Sequence, residues 1–126
     1  MPSVLIVDDE PSIRFVLRRW FERQHWTVSE AGDGQTAMAQ ILASDEDGDR
    51  RLDLVLCDLH LPLVSGEELL QHLHAERPAM AARLILCTGD AVSHAAPGTA
   101  LSVHPHVLQK PFELATLSTL VESIIS

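Results

Sequence analysis

Five polar residues stand where apolar runs end. Asp8 and Asp9 follow Val4-Leu5-Ile6-Val7, Asp58 follows Leu54-Val55-Leu56-Cys57, and Thr88 follows Leu84-Ile85-Leu86-Cys87. Lys110, the only lysine in the chain, follows a shorter run, Val107 to Gln109. If these runs are parallel strands, all five groups emerge at one sheet edge, the carboxyl edge where open α/β sheets place their ligands. Two carboxylates 4 Å apart repel by about 4 kcal/mol at an effective dielectric near 20, so Asp8, Asp9 and Asp58 together call for a counter-charge. Magnesium meets that need, because it takes one or two carboxylates and completes its shell with water and phosphate oxygens. A phosphoryl group arriving at Asp58 would be bridged by the metal, with Lys110 and Thr88 addressing its other oxygens. Phosphoryl transfer asks little more of a protein than positioning and charge neutralisation. Asp58 then serves as the nucleophile and forms an acyl phosphate.

Each residue has a plainer reading when taken alone. Asp8-Asp9-Glu10 before Pro11 can cap the next helix. Asp58 can be a loop acid ahead of Leu61-Pro62, Thr88 a turn hydroxyl and Lys110 a solvated charge. Their joint position at the ends of separate strands favours the chemical reading.

The elements that position them alternate regularly. The runs at Val4 to Val7, Leu54 to Cys57 and Leu84 to Cys87 suit strands covered on both faces. Thr27 to Ala31 and Val107 to Gln109 suit edge strands. Ile13, Val16, Leu17, Trp20 and Phe21 repeat at helical spacing after Pro11-Ser12. Ala37, Met38, Ile41 and Leu42 mark a second helix. Leu69, Leu70 and Leu73 mark a third, entered at Gly66 and closed before Pro78. Leu114, Leu117, Val121, Ile124 and Ile125 mark the last. Right-handed crossovers then predict a flavodoxin-like, doubly wound parallel sheet of five strands, (βα)5, with helices on both faces and one domain over 1–126. The fourth helix is expected between Asp90 and His106. Pro97-Gly98 would interrupt it, at about 3 kcal/mol for an interior proline, so a short or irregular segment is expected there.

Bulk properties narrow the function. A chain of 126 residues with 46% apolar and 21% charged residues reads as one soluble globular domain. The net charge of -9 argues against general nucleic-acid or anionic-membrane binding. Part of it lies in Asp45-Glu46-Asp47-Gly48-Asp49, read as a solvated loop lacking the spacing and distal Glu of an EF-hand. No run reaches the roughly 18 to 20 apolar residues that span a bilayer, and no signal peptide is visible, so the expected location is cytoplasmic. Cys57 and Cys87 read as buried reduced thiols, with a disulfide left open if adjacent strands bring them together. The seven histidines show no zinc-site spacing: His72 and His74 do not share a helix face, and His104 and His106 flank a proline.

Taken together, Val-Asp-Asp-Glu at 7–10, Asp-Leu-His-Leu-Pro at 58–62, Cys-Thr-Gly at 87–89 and Lys-Pro-Phe at 110–112 resemble the CheY-like receiver domain of two-component response regulators. The resemblance covers essentially the whole chain. It implies that Asp58 is the phosphoacceptor and that a histidine kinase, or a phosphotransfer protein, is the donor. It implies magnesium held by Asp9, Asp58 and the backbone carbonyl of His60, with Asp8 acting mainly through water. Thr88 and Lys110 would contact the phosphoryl oxygens, and His60 and Asp90 would tune the lifetime of the acyl phosphate. A cis bond at Lys110-Pro111 is also implied. The chain departs from the family at Val107, where a Tyr or Phe usually serves as the aromatic half of the switch, and in Leu101-Ser102-Val103-His104-Pro105, which replaces a Gly-Ala stretch.

Three other functions compete. A phosphatase with an aspartyl-phosphate intermediate would need a second catalytic Asp two residues after the nucleophile, where this chain has His60. A flavodoxin-like cofactor binder would need a hydroxyl- or glycine-rich phosphate loop, whereas Asp8-Asp9-Glu10 repels phosphate. The intact acids and lysine argue against a receiver that is never phosphorylated. The expected function is therefore a signalling switch and not an enzyme, either a stand-alone receiver or a piece of a longer regulator or hybrid kinase. From Ala91 to Gln109 there is no Asp, Glu, Lys or Arg. That absence predicts a monomer with an adaptable, apolar partner surface on the face formed by the fourth helix, fifth strand and last helix.

Overall fold

The apolar runs form the centre of one parallel sheet. In the computed structural model, which describes residues 2–44, 51–89 and 106–125, the strands are β1 (Ser3–Val7), β2 (Thr27–Ala31), β3 (Leu54–Asp58), β4 (Leu84–Thr88) and β5 (Val107–Gln109). Their order is β2-β1-β3-β4-β5 and all four pairings are parallel. The runs without polar residues occupy the three inner positions, and the weaker runs take the two edges. This is the doubly wound arrangement the alternating pattern predicts, with the order reversing beside β1.

The helices are α1 (Pro11–Glu22), α2 (Gly34–Ala43), α3 (Gly66–Glu76), a short α4 (Pro78–Ala81) and α5 (Leu114–Ile125). Period-2 alternation along the strands divides the core in two. Leu5, Val7, Val55, Cys57, Leu84 and Leu86 pack with Ala37 and Ile41 of α2 and with Leu69, Leu70 and Leu73 of α3. On the other face Val4, Ile6, Leu54, Leu56, Ile85 and Cys87 pack with Leu17 and Phe21 of α1 and with Leu117 and Val121 of α5.

The same alternation removes the disulfide. Cys57 lies beside Leu86 and Cys87 beside Asp58, so the two thiols point to opposite faces of the sheet. Both are free and buried, and burial pushes both thiols up, Cys87 to about 12.

Local chemistry sets the helix ends. Asp33 caps α2, accepting from the Thr36 amide at 2.6 Å, and Ser65 caps α3, accepting from the Glu68 amide at 3.1 Å. Helix α3 ends before Pro78 as expected, but the chain then makes one further turn, α4, with Pro78 at its start. Arg77 between them reaches across to the end of α2, donating to the carbonyls of Ile41, Leu42 and Ser44 at 2.9 to 3.1 Å. No helix among the described residues is long and apolar enough to cross a membrane. The expected fourth helix, the acidic stretch at 45–49, Asp90 and the apolar surface around Leu101 and Val103 lie outside the described residues.

Candidate functional site

Parallel register delivers the polar residues to one edge. Val7 pairs with Cys57, so the next residues, Asp8 and Asp58, leave β1 and β3 side by side. By strand parity Asp8, Asp58 and Lys110 all point to the face that carries α1 and α5. Beneath them Ile6, Leu56, Cys87, Leu17 and Phe112 line a small apolar hollow. The acids thus stand on a low-dielectric floor and open toward solvent.

Lys110 joins two of them. Its Nζ lies 3.3 Å from Oδ2 of Asp8 and 3.3 Å from Oδ2 of Asp58. Burial pulls the lysine's pKa down, but the Asp58 and Asp8 carboxylates outweigh it and the net shift is upward. Asp8 is buried, with its Oδ1 accepting from the Glu10 amide at 2.9 Å. Its own amide donates to the Ala31 carbonyl at 3.1 Å. Asp58 Oδ1 accepts from the His60 amide at 3.3 Å, which turns Oδ2 toward Lys110. Asp9 is exposed, yet Asp8, Asp9 and Asp58 each offer an oxygen within 4.8 Å of the others.

The helix-capping alternative for these acids fails. Glu10 occupies the cap position of α1 without a side-chain cap bond, and the first turn carries no acid. Asp8 instead folds back on the Glu10 amide and faces Lys110. Three carboxylates against one ammonium leave an excess of negative charge on hard oxygen donors. That donor set suits a divalent cation such as magnesium.

The remaining expected residues are placed less directly. Thr88 is buried at the end of β4, and its carbonyl accepts from the Lys110 amide at 2.7 Å. His60 is exposed in the loop after β3, and the Lys110-Pro111 bond is cis, as the resemblance implies. Val107 opens β5, half-buried against the cluster shared with α2 and α3.

Several supporting residues escaped the sequence reading. A Cβ at Gly66 would lie 2.4 Å from the Asp58 carbonyl oxygen, and the Gly66 amide donates to Leu59 at 2.8 Å. Only glycine lets α3 approach the site this closely. A Cβ at Gly34 would fall 1.7 Å from the Val64 carbonyl oxygen, so α2 presses on the same loop. Arg14 and Glu30, which meet beside the Asp8 carbonyl, carry no mark in the sequence either. An arginine in a first helical turn carries no signal by itself. Only a glycine next to a cap residue, as in Ser65-Gly66, hints at close approach.

Comparison with known proteins shows the family of the chain. Residues 4–122 match the response regulator receiver domain family. Among curated proteins, the probable transcriptional regulatory protein TcrX of Mycobacterium tuberculosis is 32% identical over 112 residues, 89% of this chain and 44% of TcrX. The chain spans less than half the length of the curated relatives it matches. The response regulator TrrA of Thermotoga maritima, in a crystal structure with Mg2+-BeF, superimposes with a TM-score of 0.81 at 24% identity, over 98% of this chain and 99% of that one. A structure of the histidine kinase ThkA in complex with TrrA gives a TM-score of 0.80 at 25% identity over the whole of both chains.

Proposed function

The chain belongs to the response regulator receiver domain family, whose members are phosphorylation-dependent signalling switches rather than typical enzymes, and we propose that Asp58 is its phosphoacceptor. The observation that carries this reading is the position of Lys110 Nζ, 3.3 Å from both the Asp8 and the Asp58 carboxylate. A carboxylate held this way is oriented at the sheet edge while its negative charge is partly balanced.

An oxygen of Asp58 attacks the phosphorus of a phosphohistidine on a histidine kinase or phosphotransfer protein. The new O–P bond forms as the P–N bond breaks, and the imidazole leaves. The likeness to TrrA, which forms a complex with a histidine kinase, supports that class of donor. The His60 amide orients Asp58, and Lys110 neutralises charge on the transferred oxygens with the Thr88 hydroxyl at the same edge. Asp8, Asp9, Asp58 and the His60 carbonyl would hold magnesium, which when bound offsets the charge of phosphoryl oxygens. The Mg2+-BeF group of TrrA supports this assignment. His60 and Asp90 tune hydrolysis of the acyl phosphate through access of water. Val107 supplies no aromatic rotor, so coupling from site to surface proceeds through Thr88 and the segment that follows it, as a population shift.

Beyond the site, the proposal is a cytoplasmic receiver domain over 1–126 that does not bind nucleic acid, acts on a downstream protein through β5, α5 and the segment before them, and stays monomeric on activation. Light scattering with and without beryllofluoride tests the last point, and a dimer formed on activation would overturn it. The central test is labelling by acetyl phosphate or beryllofluoride in the presence of magnesium. Asp58→Asn is expected to abolish it, and undiminished labelling of that variant would place the acceptor elsewhere.

A further inference from the structure

We infer that Arg14 is a positioning residue for the cation pocket, acting through the backbone carbonyl of Asp8; this rests on the metal-binding reading above. Arg14 lies in the first turn of α1, and 20% of its side chain is exposed. Its Nη1 donates to the Asp8 carbonyl oxygen at 2.6 Å, while its Nε donates to Oε1 of Glu30 at 3.1 Å. The guanidinium also lies over the backbone of Gly32, where a Cβ would come within 3.3 Å of Nη1. Glu30 is fixed from its other side by Arg18.

The consequence is local and directional. Glu30 stands in β2 directly before Ala31, whose carbonyl accepts the Asp8 amide. The amide of Asp8 is therefore bound to β2 directly, and its carbonyl is bound to β2 through Arg14. With Oδ1 on the Glu10 amide and Oδ2 on Lys110, each polar atom of Asp8 has a partner. Asp9 is carried on the peptide whose carbonyl Arg14 holds, so Arg14 sets the direction in which the exposed Asp9 carboxylate leaves the backbone. A planar fork is needed for this, because two donors must reach two acceptors at once, one just past the end of β1 and one in β2.

Charge and position act with opposite signs here, which makes the inference testable. Arg14 is a cation near a cation site, so as a charge alone its removal would tighten magnesium binding. As a positioning residue its removal weakens binding, by about tenfold, as for other residues that orient metal ligands. The experiment is calorimetric titration of magnesium chloride into wild type, Arg14→Gln, Arg14→Lys and Arg18→Gln, each checked for folding by its thermal transition without metal. Arg18→Gln removes an equal charge and the contact to the other Glu30 oxygen without touching Asp8, so its affinity should stay within about twofold of wild type. Arg14→Lys can reach one acceptor but not both, and should fall between wild type and Arg14→Gln. Unchanged or tighter binding by Arg14→Gln overturns the inference, as does an equal loss in Arg14→Gln and Arg18→Gln. If the Gln variant does not fold, the Lys variant decides, and wild-type affinity there also overturns it. A wild-type protein that binds no magnesium overturns the pocket reading itself, and this inference with it.

Discussion

Removing Lys110 isolates the electrostatic problem at the centre of the site. In Lys110→Met the side chain keeps its unbranched apolar stem and loses its charge. Each of the two 3.3 Å contacts to Asp8 and Asp58 corresponds to about 5 kcal/mol of Coulomb attraction at an effective dielectric near 20. Most of that is offset by desolvation of the ammonium. Breaking a fully buried pair costs about 3–5 kcal/mol, but 26% of the Lys110 side chain is exposed, and solvent screening reduces the figure. The expected loss is about 1–2 kcal/mol at neutral pH and low salt, or about 3–6 °C in Tm per kcal/mol for a domain of this size. Magnesium should close much of the gap, because the cation replaces the missing charge between the same carboxylates. The pH dependence has a defined sign. Lys110 has a folded pKa raised above its ordinary 10.5, so its contribution is fully present below that value and is lost as pH rises through the folded pKa. The stability difference between the two proteins should therefore be flat from pH 7 to 10 and shrink above about 10.5. Urea denaturation over that range, with and without magnesium, measures it. A variant as stable as wild type without metal, or a gap that widens when magnesium is added, would refute the reasoning.

Other perturbations reach the supports of the site. Gly66→Ala should destabilise the fold by about 1–3 kcal/mol and weaken magnesium binding, since its Cβ would press on the Asp58 carbonyl; denaturant and magnesium titrations of the variant check both. Leu63 is 73% exposed and has a φ of 70°, a conformation that costs an ordinary side chain about 1 kcal/mol. Leu63→Gly should thus stabilise the protein slightly in urea while leaving magnesium affinity unchanged. The buried thiols should resist iodoacetamide at pH 8 in the native state and react on unfolding. Because Cys57 and Cys87 are both raised when folded, the unfolded chain loses their protons first. Their contribution is present below about pH 9 and declines above it, by about 1.4 kcal/mol per pH unit for each thiol. A Cys57→Ala, Cys87→Ala double variant should show a flatter alkaline profile than wild type.

The sequence alone determined the fold and which polar residues gather at its edge. Short unbroken runs such as Leu84-Ile85-Leu86-Cys87, bounded by polar turns, suit strands covered on both sides, and the spacing from Ile13 to Phe21 suits a one-faced helix, so the β–α alternation was legible. Parallel strands share a direction, which is why polar residues after each run had to collect at one end. Tertiary structure decided what depends on register and approach. Strand pairing sets Cys57 and Cys87 on opposite faces, which no spacing between them could show. It also turns Lys110 onto Asp8 as well as Asp58. The glycines at 34 and 66 matter because the carbonyl oxygens of Val64 and Asp58 would lie 1.7 and 2.4 Å from a Cβ there. Nothing in the sequence marks Arg14, and only the fold brings the Asp8 carbonyl and Glu30 to either side of it. Local patterns follow from burial, which a sequence records in residue type. Contacts between a side chain and a backbone atom elsewhere leave no such record, because any residue can offer the carbonyl.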